Sequence, residues 1–292
     1  MAGGGAFGPA HVGVYKALRE RGFVFDIFGG SSVGSGMAAG FALLMEPEAI
    51  EAAVHDIFVK SRAFKRFILP KCSLLDHTAL DWALQRLYGS TPIEGVWKPF
   101  FAVTTDLSES ALRVIRTGPL WRPVRASSSI PGVLPPVFDE DGRMLVDGAI
   151  ADNVPLGVMK SLKAGPNVVV DISLPERCLF DVDYQSIPGR WGLLNRLLNP
   201  FSWRTLPRCP TPAGIIQRSI FTNIRKEPRL AGPHDLFLHP PPFPGSSYMN
   251  WDRHADVFDA AYRWGLEVLD SLQPLTQHSR CGQVNLPNKS NP

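Results

Sequence analysis

Three short stretches of this chain carry residue types that could make and break an ester bond. Gly30-Ser31-Ser32-Val33-Gly34 has the spacing G-x-S-x-G. That pattern suits a sharp strand-to-helix turn that lifts a serine hydroxyl above the end of a sheet. Gly30 and Gly34 let such a turn close without side-chain clashes. The helix that follows aims its free N–H groups and positive dipole end at developing negative charge. Gly3-Gly4-Gly5-Ala6-Phe7-Gly8 offers bare backbone N–H donors of the kind that hold the oxyanion of a tetrahedral intermediate. Asp147-Gly148-Ala149 offers a carboxylate with a glycine beside it, where another chain segment can approach closely. A serine hydroxyl is a weak nucleophile until a base takes its proton. An aspartate in a partly dry pocket has its pKa raised toward that task.

Each stretch also has another reading. The serine pattern by itself is a Gly/Ser turn, and Asp-Gly often does no more than shape one. Gly3, Gly5 and Gly8 satisfy G-x-G-x-x-G, with Asp26 near the offset of a ribose-binding acid, as in a dinucleotide-binding oxidoreductase. That fingerprint should follow a strand, and only Met1-Ala2 precede it here. The serine turn soon after Asp26 favours acyl chemistry, because a dinucleotide site has no need of it. A histidine is the other candidate base. His234, His239, His254 and His278 all come late enough for a Ser-Asp-His order, though none sits in a loop signature. His11 falls on one helical stripe with Val14, Tyr15 and Leu18 and reads as a buried structural residue.

The elements that would position these groups alternate in type. Pro9 suits the first turn of a helix that Gly22 closes. Phe23 to Phe28 reads as a buried strand feeding the serine turn, and Met37 to Leu44 as a small-residue helix packed on a sheet. Further helices are expected over Glu48 to Lys60, Thr78 to Tyr88 (capped by Asp76 and ended by Gly89), Leu156 to Leu162 and Trp251 to Leu272. Strands are expected over Phe100 to Thr105, Leu112 to Ile115, Met144 to Val146, Val168 to Ile172 and Asp235 to Leu238. The alternation predicts an α/β sandwich with a largely parallel sheet. Pro188, Pro200, Pro207, Pro210 and Pro212 break up 188–212, which reads as a surface insertion. The polar tail after Leu275 reads as loose.

Composition narrows the class. The 292 residues are 45% hydrophobic, enough for one large α/β domain. A net charge of +3 and the lack of any finger, homeodomain or RNA-binding motif argue against a nucleic-acid partner. Cys72, Cys178, Cys209 and Cys281 form no metal-binding spacing, so no metal or other cofactor is expected. So few cysteines suit a reducing compartment. With no apolar run of ~18 residues and no signal-peptide pattern at Met1 to Gly8, the expectation is a cytoplasmic protein that touches the membrane peripherally.

Taken together, the motifs resemble those of the patatin-like phospholipases, most closely the bacterial and neuropathy-target-esterase-like branch. The resemblance runs from Gly3 to about Leu272. Gly3 to Gly8 with His11 and Gly13 is similar to the family's oxyanion loop and first helix, and Gly30 to Gly34 to its nucleophile elbow. Arg125-Ala126-Ser127-Ser128-Ser129-Ile130-Pro131-Gly132 is similar to its central block. Asp147-Gly148-Ala149 with Asp152-Asn153-Val154-Pro155 is similar to its D-G-[GA] motif. The resemblance implies a patatin-like three-layer sandwich over 1–275, here lacking its first strand. It implies a Ser32–Asp147 dyad without a catalytic histidine, and oxyanion donors among Gly3, Gly4, Gly5 and Ala6, with Gly30, Gly34, Gly148 and Ala149 supporting the motifs. The family has Arg or Lys where Phe7 stands. The implied substrates are phospholipid, lysophospholipid or another acyl-ester lipid, and a catalytically weak lipid-binding relative is the competing reading.

Lipid chemistry needs access to a lipid surface. From Asp183 to Glu227 no acidic residue intervenes, and Arg190, Trp191, Arg196, Trp203 and Arg204 interleave basic and aromatic character there. A second such run is Lys60, Arg62, Phe64, Lys65, Arg66 and Phe67. Both suit an anionic membrane interface; both would equally suit a surface segment with solvated charges.

Overall fold

The computed structural model describes residues 1–173 except Pro70, residues 232–278 except Pro244 and Ser246, and Ile187, Gly189, Trp191, Gly192, Leu198, Ile215, Ile216 and Ser219 between them. The expected insertion at 188–212 lies almost wholly outside the described residues.

The centre of the fold is β2 (Phe100–Asp106), every residue of which is buried. One edge of β2 pairs antiparallel with β3 (Ala111–Ile115), aligning Ala102 with Ile115 and Asp106 with Ala111. The other edge is shared. Its first half pairs parallel with β1 (Phe28–Ser31), up to Ser31 opposite Val103. Its second half pairs antiparallel with β5 (Met144–Asp147), down to Asp147 opposite Thr104. Strand β4 (Val137–Phe138) extends the sheet beyond β5. The C-terminal ends of β1 and β5 therefore meet head to head on one strand. Strands β6 (Val168–Val170) and β7 (Leu236–Leu238) form a separate parallel pair.

The sheet is thus mixed, with parallel pairing among the described residues only at β1–β2 and β6–β7, and less parallel than the βα alternation predicts. The reason lies in the connections. Residues 107–110 join β2 to β3 as a tight hairpin, and β4 turns back directly into β5, so no crossover helix intervenes. Strand β1 also begins later than expected. Phe23 is 39% and Val24 82% exposed, and pairing starts only where the Phe28 N–H donates to the Pro99 carbonyl.

The Met1-Ala2 backbone hydrogen-bonds to both β1 and β6. The Ser31 N–H donates to the Met1 carbonyl at 3.1 Å and the Ala2 N–H to the Val170 carbonyl at 3.1 Å. A cavity of about 350 Å³ adjoins this link, lined by Phe25, Phe28, Gly29, Leu156, Val168 and Val170 among others. Neither Ser32 nor Asp147 lines it.

Helices cover this framework. Helix α1 (Pro9–Glu20) packs along α7 (His254–His278). Helix α2 (Val33–Ala42) rests on β1, and α5 (Trp121–Ser127) on β2. Helix α3 (Pro47–Val54) continues as a π-helical turn over His55–Lys60. Helix α4 (Thr78–Tyr88) starts where Asp76 caps the Thr78 N–H at 3.0 Å and stops at Gly89, whose φ is +56°. Helix α6 (Leu156–Leu162) follows the Asp147 motif. Tyr15 stacks on Phe41 at 3.8 Å, with Phe28 edge-on to Tyr15, which locks α1, α2 and β1 into one aromatic core.

Candidate active site

Ser32 sits at the turn from β1 into α2 with φ 50° and ψ −131°. For a residue with a Cβ this conformation costs on the order of 1–3 kcal/mol and persists only where neighbours enforce it. They do. The Ser32 N–H donates to Ser127 Oγ at 2.8 Å, and Ser127 Oγ donates onward to the Val103 carbonyl at 2.7 Å. The Ser35 hydroxyl and N–H both donate to the Ser32 carbonyl. The turn also needs its glycines: a Cβ on Gly34 would come within 2.5 Å of the Ala2 carbonyl oxygen, and one on Gly30 would strike the Gly34 carbonyl.

Asp147 arrives from the end of β5. Its Oδ2 accepts the Ser32 hydroxyl at 2.8 Å, and its Oδ1 accepts the Ala149 N–H at 2.9 Å. Its backbone is held as well, by the Ser129 carbonyl at 3.0 Å and the Thr105 hydroxyl at 2.8 Å. Ser32 is 6% and Asp147 2% exposed. Burial pushes the Asp147 carboxyl up to about 7, against the pull of its two hydrogen bonds. A carboxylate so placed is matched to taking a hydroxyl proton near neutral pH.

The glycine loop borders the serine. A Cβ on Gly3 would fall 2.8 Å from Ser32 Cβ. Gly3 exchanges two hydrogen bonds with Asn153, at 3.0 and 3.3 Å, and the Ala6 N–H donates to the Tyr248 carbonyl at 2.7 Å. Of the expected oxyanion donors, Gly3 and Ala6 are thus occupied within the protein. Gly4 and Gly5 N–H have no partner among the described residues. Phe7, standing where the resemblance leads one to expect a cation, packs edge-on against Tyr248 at 4.7 Å and near Phe243 at 6.0 Å. An aromatic contact anchors the loop instead.

The other candidates fall elsewhere. His11 Nε2 lies 2.8 Å from the Ala2 carbonyl, and burial pushes the ring down to about 3, so it is a neutral structural residue. His239 approaches Asp171 at 3.6 Å, and His254 lies between Glu51 at 2.6 Å and His55 at 3.1 Å. His234 lines the cavity between β1 and β6. Among the described residues no histidine hydrogen-bonds Ser32. Asp26 is exposed. Arg190, Arg196, Trp203 and Arg204 lie outside the described residues, and Trp191 is 73% exposed. Among the described residues no cluster of three metal-ligating side chains occurs and no helix is long and apolar enough to cross a membrane.

Sequence reasoning assigned no role to Ser127, Asn153 or Tyr248. Ser127 and Asn153 lie inside the motif blocks, but only their long-range partners reveal what they hold. Beside the elbow lies an apolar slit of about 50 Å³, lined by Val33, Gly36, Met37, Phe58, Leu84 and Val124 among others.

Comparison with known proteins bears on the family. The sequence model described as Patatin-like phospholipase matches residues 1–160. Lysophospholipase NTE1 of Coccidioides immitis is 33% identical over 94% of this chain and 17% of its own length. A patatin-like phospholipase domain-containing protein of Caenorhabditis elegans is 32% identical over 93% of this chain and 20% of its own. Human patatin-like phospholipase domain-containing protein 6 is 30% identical over 92% and 20% respectively. The chain therefore spans about a fifth of the curated relatives it matches. The crystal structure of VipD from Legionella pneumophila aligns with a TM-score of 0.49 at 12% identity, over 92% of this chain and 66% of that one. On the family match and these relatives, the chain belongs to the patatin-like phospholipase family, on its neuropathy-target-esterase-like branch.

Proposed function

We propose that this chain is a serine hydrolase that cleaves acyl ester bonds of lipids, of phospholipase A or lysophospholipase type, through a Ser32–Asp147 dyad. The observation that carries the reading is the 2.8 Å hydrogen bond from a buried, strained serine to a carboxylate whose pKa is lifted to about 7. Ser32 Oγ attacks the ester carbonyl as Asp147 accepts its proton. The oxyanion is held by the unpartnered N–H groups of Gly4 and Gly5, and collapse of the tetrahedral adduct expels the alcohol with the proton from Asp147. Water then attacks the acyl-enzyme, giving its proton to Asp147, and the acid leaves as Ser32 is regenerated. The apolar slit beside Val33 and Gly36 suits the acyl chain. Lysophospholipid is the substrate class suggested by the name of the fungal relative.

The test is hydrolysis of p-nitrophenyl butyrate and of a lysophosphatidylcholine by wild type, Ser32→Ala, Asp147→Asn and His234→Ala. The dyad reading requires two inactive variants and a near-normal histidine variant. Wild-type activity that survives Ser32→Ala sinks it. Lipid binding without any hydrolysis would favour the non-catalytic reading instead, for which the Phe7 position is the motivating feature.

A further inference from the structure

A hairpin over Arg66–Asp76 exposes three consecutive large apolar side chains. Phe67 is 77%, Ile68 46% and Leu69 91% exposed. Soluble surfaces rarely leave such a run uncovered unless something docks there. The segment from Lys60 to Leu75 contains Lys60, Arg62, Lys65, Arg66 and Lys71 and no acidic residue. Lys60 pairs with Asp56 and Lys65 with Asp252, while Arg62, Arg66 and Lys71 form no ion pair among the described residues, Arg66 feeling the Asp76 carboxylate only at longer range.

The hairpin is held firmly and is tied to segments that brace the candidate site. Phe67 bridges antiparallel to Leu75, the Ile68 N–H donates to the Leu74 carbonyl, and the Asp76 N–H donates to the Arg66 carbonyl. Its return arm is tied to the segment behind α5: Leu74 N–H donates to the Gly132 carbonyl at 2.8 Å and Leu75 N–H to the Val133 carbonyl at 3.0 Å. The start of that same segment, Ser129, holds the Asp147 N–H. Its approach arm meets the other half of the site. Lys65 pairs with Asp252 at 3.0 Å, and Phe64 lies 6.2 Å from Trp251, three residues beyond the Tyr248 carbonyl that holds Ala6.

From this placement we propose that Phe67, Ile68 and Leu69 insert into the acyl region of an anionic lipid surface while Arg62, Arg66 and Lys71 engage its head groups, and that this docking brings the enzyme to its lipid substrate. Apolar tip and cationic collar are the two attractions an interfacial anchor combines. The proposal rests on the lipid acyl hydrolase reading above, but its test separates the two.

The binding arm uses the 292-residue chain carrying Ser32→Ala, so that lipid is not consumed. Flotation is measured with vesicles of phosphatidylcholine alone and of phosphatidylcholine with phosphatidylglycerol. The parent is expected to float with the anionic vesicles. Phe67→Ser/Ile68→Ser/Leu69→Ser should lower the bound fraction at least tenfold, and Arg62→Gln/Arg66→Gln/Lys71→Gln should abolish the preference for phosphatidylglycerol. The activity arm uses Ser32 enzyme with the same loop changes. Vesicle hydrolysis should fall with binding, while p-nitrophenyl butyrate hydrolysis stays within twofold of wild type, which also certifies the fold. Equal flotation of parent and variants overturns the proposal. So does a serine variant that changes the sedimentation of the protein alone from dimer to monomer without changing flotation, since the patch then serves a second copy of the chain. An enzyme inactive on the soluble ester, yet floated by an intact hairpin, would refute the hydrolase reading and leave the anchor standing.

Discussion

Asp147 receives the Ser32 hydroxyl on one carboxylate oxygen and the Ala149 N–H on the other, so its orientation is set from both sides. Among the described residues no imidazole takes part in that orientation. In the proposed mechanism, removing either member disables proton removal and attack together. Ser32→Ala and Asp147→Asn are each expected to lower kcat about 10³-fold or more, and the double variant to lose little beyond either single one. Steady-state kinetics on p-nitrophenyl butyrate decide this, and additive losses would show that the two residues do not act as a unit.

In the proposed mechanism Asp147 also makes activity and stability run in opposite directions with pH. As a base it must be ionised, so kcat/KM should rise about tenfold per pH unit up to about pH 7 and level off above. For stability the sign reverses. Burial raises the folded-state pKa above the ordinary 3.8, so the folded chain binds more protons between those values. The contribution is full below about pH 4 and is lost as pH rises toward 7. Asp147→Asn should therefore melt several degrees above wild type at pH 8, with the gap closing near pH 4. A melting curve displaced equally at both pH values would refute the assignment.

The glycine loop is braced by Asn153, which accepts the Gly3 N–H and donates to the Gly3 carbonyl. Asn153→Ala removes both bonds and is expected to cost about 1–3 kcal/mol of stability. If the loop holds the oxyanion, kcat should fall about 10- to 100-fold with KM within a few-fold. A rise in KM alone would mean that Asn153 serves substrate binding instead.

Ser127 should behave as a brace for the elbow. Ser127→Ala leaves the Ser32 N–H and the Val103 carbonyl without the hydroxyl that joins them. A loss of about 1–3 kcal/mol in denaturant unfolding is expected, together with reduced kcat, because the strained Ser32 conformation loses one of its restraints. Unchanged stability would show that solvent or a neighbour replaces the hydroxyl.

Gly36 offers a probe of the acyl slit. A Cβ there would meet only Val124 Cγ1, at 3.6 Å, so a larger side chain grows into the slit rather than into backbone. Gly36→Leu is expected to lower kcat/KM for longer acyl chains at least tenfold relative to acetate esters. An acyl-length profile identical to wild type would remove the slit from the substrate path.

Much of this site was legible in local patterns. The elbow spacing, the Asp-Gly pair and the glycine loop are short-range signals, because the turns they make depend on their own backbone geometry. The same holds for α4, whose Asp76 cap and Gly89 stop were readable from neighbours in sequence. Strand β1 was displaced to Phe28–Ser31 because pairing partners, not the apolar run Phe23 to Phe28, determine where a strand begins. A glycine-rich stretch is a poor strand by propensity, and it is accepted here because Phe101 lies directly over Gly29, where no Cβ would fit.

What only the tertiary structure decided is why Ser32 and Asp147 meet. Their spacing of 115 residues carries no information about contact. They meet because β1 runs parallel and β5 antiparallel along the same edge of β2, ending at Val103 and Thr104. The roles of Ser127, Asn153 and Tyr248 depend on the same long-range pairing. Residue types and local spacing determine which groups are able to do chemistry. Which of them face each other, how dry their surroundings are, and hence that burial pushes the Asp147 carboxyl up to about 7, follow from backbone hydrogen bonding between segments distant in the chain.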